Sequence, residues 1–151
     1  MSTLETQPHK SGWELFKLTA FLRLFALIKV PLLAATKPSI VEASDKKIVI
    51  KMPLNRRNAN HLGVMYFGAL SMGADAAVGL LAMLTIQNKK KRIDLIFKDF
   101  TANFLKRADG DVHFICEEGE QIKALVEEAD RTGERVHQKF NCYAIVPSKS
   151  N

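Results

Sequence analysis

Asp75 is the residue of this chain best suited to chemistry. It is the single acid in a nearly uncharged stretch, NHLGVMYFGALSMGADAAVG, which spans residues 60–79. An unpaired carboxylate among apolar and small residues is costly, so a specific task is expected for it. A carboxylate in such a place can activate water or attack a carbonyl carbon. The structural alternative is a hydrogen bond from a Ser, Thr or Tyr hydroxyl of a neighbouring subunit.

The element that carries Asp75 is predicted to be a long helix over residues 63–87. Its glycines at 63, 68, 73 and 79 each cost roughly 0.5–1 kcal/mol relative to Ala in a helix interior, so close packing must compensate. Apolar residues lie all around the helix rather than along one stripe. This pattern is typical of a helix buried in a larger fold.

Composition predicts one domain over residues 1–151, with 47% hydrophobic and 25% charged residues. The net charge of +6 favours an anionic partner, either nucleic acid or the phosphates of a small nucleotide-derived molecule. Nucleic-acid binders usually interleave cations with exposed aromatic residues. Neither Arg56-Arg57 nor the run from Lys89 to Arg92 does so. No nucleic-acid partner is therefore expected.

The cysteines and the N-terminus predict an intracellular protein. Cys116 and Cys142 lack CxxC spacing, which favours buried thiols in a reducing cytosol and no metal site. No signal peptide is recognised, so a cytoplasmic location is expected. Residues 13–36 approach the length of a membrane span but contain three cations and Pro31. An N-terminal helix over residues 11–31 that covers the core or touches a membrane surface is the preferred interpretation.

The remaining segments predict strands and one further helix. Residues 48–52 alternate in hydropathy and pair with residues 39–43 in a predicted hairpin. A long strand with a bulge is expected over residues 93–104, followed by strands over 112–116 and 136–146. An amphipathic helix over residues 120–131 ends at Gly133. One buried helix beside an antiparallel sheet is an α+β arrangement.

The Gly-rich helix resembles the central helix of the hotdog fold, in which a curved antiparallel sheet wraps a long helix. It is similar to that of the acyl-CoA thioesterases of the phenylacetate-pathway type. The string GVMYFGALSMGAD keeps that family's Gly63, Gly68 and Asp75 in register, with Asn60 before the motif. Tyr66 and Phe67 replace the family's His and first Gly. The MYFGAL variant also resembles a less characterised branch of hotdog proteins that carries an added N-terminal helix.

This resemblance implies hydrolysis of an acyl thioester by Asp75, with backbone N–H groups of Phe67 and Gly68 stabilising the oxyanion. Asn60 would orient the water or the carbonyl, and Tyr66 would line the acyl pocket. The resemblance also implies a homodimer or tetramer in which the acid faces the helix start across the interface. The substrate would be an acyl group on coenzyme A or acyl carrier protein, with no cofactor. The cations that would bind its phosphates are Arg56, Arg57, Lys89, Lys90 and Arg92. A charge run after a helix, such as the last three, is more often a solvated C-terminus that interacts favourably with the helix dipole.

Two other functions remain open from the sequence. His61 precedes Asp75 by fourteen residues, the spacing of the His and acid pair in the hotdog hydroxyacyl dehydratases, although their Phe-Pro-Gly is missing. Alternatively, the protein binds acyl-CoA or a lipid without turning it over. Loss of turnover in His61→Ala would indicate a dehydratase, whereas tight acyl-CoA binding without product would indicate a binding protein.

Overall fold

The computed structural model describes residues 10–87, 89 and 91–149, so the predicted phosphate contact of Lys90 lies outside the described residues. The helices and strands follow in chain order: α1 Gly12–Lys29, α2 Pro31–Ala35, β1 Ser39–Ala43, β2 Ile48–Met52, α3 Phe67–Ile86, β3 Val112–Cys116, α4 Gly119–Thr132 and β4 Tyr143–Ile145. A short 3₁₀ helix, Pro147–Lys149, ends the described chain.

The four strands form one antiparallel sheet in the order β1-β2-β3-β4. The predicted hairpin of β1 and β2 is confirmed, and the Ser44 hydroxyl closes its turn by accepting from Lys46 N (3.3 Å) and Lys47 N (3.1 Å). Burial at the centre of the sheet does not alternate as the hydropathy pattern does, because Val49 of β2 and its partner Ile115 on β3 are buried as well as Ile48 and Ile50. The helix α3 packs against β2 and β3. An α+β arrangement is therefore confirmed.

The central helix α3 packs across β2 and β3 through its smallest residues. A Cβ added to Gly73 would collide with the ring of Phe114, a fully buried residue of β3. Ala77 and Leu80 continue the buried face. The helix has the length and apolar composition of a membrane span, but here the packing identifies it as a core helix. The close packing predicted from its glycines is confirmed at Gly73 but not at Gly63, where an added Cβ would meet nothing within 4 Å, or at Gly79, where the nearest atoms would stand 3.8 Å away.

The N-terminal helix α1 is confirmed as well, and it begins with a capping box. Ser11 N donates to the carboxylate of Glu14 (2.7 Å), and Glu14 N donates to the Ser11 hydroxyl (3.4 Å). The helix packs on α2 and β1 with Leu22 and Ala26 buried. It ends at Lys29 rather than at residue 31, because Pro31 starts α2.

Three predicted boundaries are wrong. The central helix begins at Phe67 instead of residue 63, because Gly63 adopts φ +74° in a turn. Residues 93–104 form neither helix nor strand, and the predicted final strand over 136–146 is reduced to Tyr143–Ile145. Alternating hydropathy indicates which side chains are apolar, but a strand also needs a neighbour that accepts its hydrogen bonds. The predicted helix over 120–131 is confirmed with Gly133 as its cap.

Candidate active site at the start of the central helix

The loop before α3 is fixed at two points. Buried Asn58 accepts from the N–H of Tyr66 through its backbone carbonyl (2.8 Å), and its side chain bonds Asn55 N and Pro53 O. Met65 N donates to the carbonyl of Ala108 (2.8 Å). These bonds hold the entry to α3 between the polar loop and the chain that follows residue 107.

Asn60 shapes the turn that leads to the helix. Its side-chain oxygen accepts from Leu62 N (2.9 Å) and Val64 N (3.3 Å), and its carbonyl accepts from Gly63 N (3.0 Å). This is the Asx-type turn for which Asn is favoured. The oxygen is thereby engaged, so only the amide nitrogen of Asn60 is left to orient a substrate.

The first turn of α3 offers free backbone donors. Tyr66 is the N-cap with extended φ −63° and ψ 140°, and its side chain does not cap the helix. The N–H groups of Phe67 and Gly68 have no acceptor within the described part of the chain. Together with the helix dipole, they create positive potential at this end. The predicted donors are therefore present at the true start of the helix.

A cleft of about 480 Å³ opens at this helix start. One wall is aromatic: the ring of Phe67 lies 4.6 Å from that of Tyr66 and 6.4 Å from that of Phe104, measured between centroids. The Tyr66 ring also lies against Gly68, where an added Cβ would stand 2.5 Å from its Cε1 atom. The cleft is lined by Asn60, His61, Val64, Met65, Tyr66, Phe67, Leu70, Phe104, Lys106, Arg107 and Ala108.

Asp75 lies on α3 but outside this cleft. It follows Phe67 by eight residues, which corresponds to about 12 Å along the helix axis. Its side chain reaches the surface of the single chain, yet the apolar atoms around it raise the pKa of its carboxyl group by desolvation. It forms no hydrogen bond or ion pair with any other described residue. Asp75 is therefore an unpartnered base on the exposed side of α3. We call this side, which carries Asp75, the open face.

The segment 92–107 borders both ends of this open face. The Phe97 ring and the Asp75 carboxylate both lie within 4 Å of a Cβ built on Gly79. Phe104 contacts Phe67 at the other end. The segment is nonetheless exposed along its length, with Ile96 and Leu105 at 71% and 89%.

Of the cations predicted to bind phosphates, the four that the structure describes do not line the cleft. Arg56 and Arg57 lie exposed on the turn after β2, and neither lines it. Two of the later cations are paired with acids: Lys89 with Glu127 (3.7 Å) and Arg92 with Asp94 (3.1 Å). A paired lysine or arginine at the end of a helix fits the structural interpretation of this charge run.

Sequence reasoning missed Lys106 and Arg107. Both line the cleft, both are exposed, and neither forms an ion pair with another described residue. Their neighbour Ala108 is tied to Met65 at the entry to α3. A contact across more than forty residues gives no local signal, so these two cations are identified only from the fold.

The cysteines and histidines of the chain limit which other reactions are possible. Burial raises the pKa of the Cys142 thiol to about 12 and also raises that of Cys116, which makes both poor nucleophiles. In the described parts of the chain, no three His, Cys, Asp or Glu residues cluster as metal ligands would. The imidazole of His61, by contrast, lines the cleft.

Residues 19–141 match the family DUF4442, whose description is a domain of unknown function. No protein with a curated description matches the sequence.

Solved structures resemble most of this chain. A protein from Pseudomonas aeruginosa, described as a probable thioesterase, is 26% identical with a TM-score of 0.58, covering 76% of each chain. A candidate thioesterase from Shewanella oneidensis is 16% identical with a TM-score of 0.60, covering 68% of this chain and 74% of the other. A protein of unknown function from Chlorobaculum tepidum is 16% identical with a TM-score of 0.67, covering 79% and 74%. The fold is therefore the hotdog fold of the thioesterase-like superfamily, as the resemblance implied.

Proposed function

This chain belongs to the DUF4442 family, and we propose that it is a thioesterase that hydrolyses acyl-CoA with Asp75 as its base. The observation that carries this proposal is the cleft at the N-terminal end of α3, which is lined by Phe67, the first residue of the helix. It combines free backbone donors, an apolar aromatic wall and two unpaired cations within about 480 Å³. Binding of a thioester requires donors for its carbonyl oxygen and an apolar wall for its acyl chain. A charged carrier such as coenzyme A also requires cations.

The N–H groups of Phe67 and Gly68 would bind the carbonyl oxygen as negative charge develops on it. Preorganised donors of this type are worth about 10²–10³ in rate each, because they need no reorganisation during the reaction. The aromatic wall of Tyr66, Phe67 and Phe104 would hold the acyl chain. Lys106 and Arg107 would take the role first assigned to other cations and bind the phosphates of coenzyme A.

Asp75 would remove a proton from water as the water oxygen attacks the carbonyl carbon. Collapse of the tetrahedral intermediate then breaks the C–S bond, and the proton passes to the leaving thiolate, giving a carboxylic acid and free thiol. The raised pKa of Asp75 makes it a stronger base than an ordinary aspartate. Direct nucleophilic attack by its carboxylate is the alternative, and both routes need the same residue.

A homodimer would bring the two halves of the site together. Within one chain Asp75 lies about 12 Å along the helix from the donors of Phe67. A two-fold contact between the open faces of two α3 helices would run them antiparallel and set each Asp75 near the partner's helix start. The exposed apolar side chains of segment 92–107 would be covered by the same contact.

The test is free-thiol release from short-, medium-, long-chain and aryl acyl-CoAs by the wild type and Asp75→Asn. We expect release from at least one class and a loss of about 10²–10⁴ in kcat in the variant. Asp45→Asn is the matched control, since Asp45 is an exposed aspartate of the β1–β2 turn. Equal rates in Asp75→Asn and the wild type would exclude Asp75 as the base.

A hydroxyacyl dehydratase or hydratase is the second candidate, because His61 lines the cleft. In that reaction a base and an acid must both move protons as water is expelled. His61→Ala separates the two functions. A dehydratase loses nearly all turnover of a hydroxyacyl-CoA, whereas a thioesterase keeps most of its thiol release.

A further inference from the structure

The helix α1 is apolar on two opposite sides. Its inner side packs on the core through Leu22 and Ala26. Its outer face carries apolar side chains at positions 13, 16, 24, 27 and 28, which share one side of an α-helix. These side chains are between 58% and 65% exposed: Trp13, Phe16, Leu24, Leu27 and Ile28. No described part of the chain covers the outer of these two apolar sides, and an apolar surface of this kind marks a contact site.

Aromatic side chains are concentrated at the start of this outer face. The rings of Trp13 and Phe16 stack with centroids 5.5 Å apart, and the Lys17 ammonium lies 5.4 Å from the Trp13 ring centroid. Tryptophan with an adjacent lysine is typical of the boundary between lipid headgroups and acyl chains. There the ring enters the apolar layer and the ammonium stays with the phosphates.

The charges on α1 and on the residues that flank it are mainly positive. Five cations and one acid lie between residues 10 and 37. The acid, Glu14, is engaged in the capping box with Ser11. On the neighbouring strand β1, Glu42 is paired with Lys47 at 3.3 Å. The cations are Lys10, Lys17, Arg23, Lys29 and Lys37.

From this arrangement we infer that the outer face of α1 docks on a bilayer surface that contains anionic phospholipids. The helix would lie in the plane of the interface over about 27 Å, with its apolar side chains among the acyl chains and its cations on the phosphates. A second copy of this chain is a poorer occupant. A two-fold contact would bring two surfaces with an excess of cations together. This inference does not depend on the proposed hydrolysis.

Trp13 allows a direct test, because it is the only tryptophan of the full chain. We expect its emission to shift to shorter wavelength when vesicles of mixed phosphatidylcholine and phosphatidylglycerol are added. Brominated acyl chains in the same vesicles should quench it, and high salt should reverse both effects. Absence of a shift, or equal binding to vesicles of phosphatidylcholine alone, overturns the inference.

Matched variants locate the contact. Leu27→Ser is expected to weaken vesicle binding about tenfold, while Leu62→Ser, at a leucine of similar exposure outside α1, leaves it unchanged. Lys17→Glu should weaken vesicle binding more than Lys123→Glu does. The second variant makes the same charge change at an exposed position of α4. Equal loss in the two leucine variants or in the two lysine variants overturns the inference. So does a drop in molecular mass of Leu27→Ser without lipid, which would identify the face as a contact between copies.

Discussion

Asp75 carries its charge at a cost to the fold. Desolvation raises its pKa, and within the described chain it has neither a donor nor a cation to offset that cost. Groups that destabilise a fold are often kept for function, because a preorganised base must be ready before the substrate arrives. Because desolvation of the charge lowers stability, the stability of an Asp75 variant can distinguish a functional carboxylate from a structural one.

We predict that Asp75→Asn raises the melting temperature at neutral pH. A carboxyl group whose pKa is raised on folding stabilises the native state only while it is protonated, so its ionisation at pH 7 costs stability that Asn does not lose. The difference in melting temperature between the variant and the wild type should appear as the pH rises through the raised pKa of Asp75 in the native state. It should vanish below the ordinary value of 3.8, where Asp75 is protonated in both states. Calorimetry of both proteins at acidic and neutral pH measures it.

The opposite result would identify a structural carboxylate. If Asp75 accepts a hydrogen bond from a Ser, Thr or Tyr of a partner subunit, its replacement removes a charge-assisted bond and lowers the melting temperature at pH 7. Asp45→Asn serves again as the control, because Asp45 lies exposed in a turn.

Within α3, replacement of two glycines by alanine is predicted to change the free energy of unfolding in opposite directions. Gly73→Ala should lower the free energy of unfolding by about 1–3 kcal/mol, because its Cβ meets the buried Phe114 ring. Gly79→Ala should raise it by about 0.5–1 kcal/mol, since the nearest atoms stand 3.8 Å away and Ala is the better helix former. Urea unfolding of the two variants measures both. Equal effects would mean that α3 does not pack on β3 through Gly73.

Elements that depend on local signals could be predicted from the sequence. The hairpin of β1 and β2 follows from alternation around a polar turn, and α4 follows from its apolar spacing and from Gly133, which adopts φ +72°. The strand predicted over residues 93–104 is wrong, because alternating hydropathy predicts a strand even where no neighbouring strand is available to pair with it. The start of α3 was misplaced because Asn60 and Gly63 form a turn in a stretch whose composition continues that of the helix.

The candidate site was predictable only where its parts are adjacent in sequence. Phe67, Gly68 and Asp75 could be placed from one motif, and the helix-start donors of the first two are present. Lys106 and Arg107 could not, since their position depends on the bond between Met65 and Ala108. Sites assembled from distant segments are set by tertiary packing rather than by spacing.

At the scale of the whole molecule, two exposed apolar surfaces have different chemistry. The open face of α3 with segment 92–107 is apolar around one unpaired acid, which lies about 12 Å along the helix from the first donors of its own chain. The outer face of α1 is apolar with a cationic border. We assign the first to a second copy and the second to lipid. Both can be occupied at once, since they belong to different helices.

Phe67→Pro is designed to remove one oxyanion donor without removing the helix. Phe67 is the first helical residue, where proline is favoured, and the extended backbone of Tyr66 is compatible with a following proline. The variant lacks the N–H group but keeps the helix start. Phe67→Ala is its control, because it loses the same ring and retains the N–H. We expect Phe67→Pro to lose about 10²–10³ more in kcat than Phe67→Ala.

Mixing two inactive variants tests whether the site is shared between the two chains of the proposed homodimer. Asp75→Asn keeps the donors and lacks the base, while Phe67→Pro keeps the base and lacks a donor. If each site takes its base from one protomer and its donors from the other, a mixed dimer contains one complete site. Equal amounts, unfolded and refolded together, should therefore recover about a quarter of the wild-type thiol release, since half of the dimers are mixed. A site built within one chain would recover none, because each protomer then carries its own defect in either dimer.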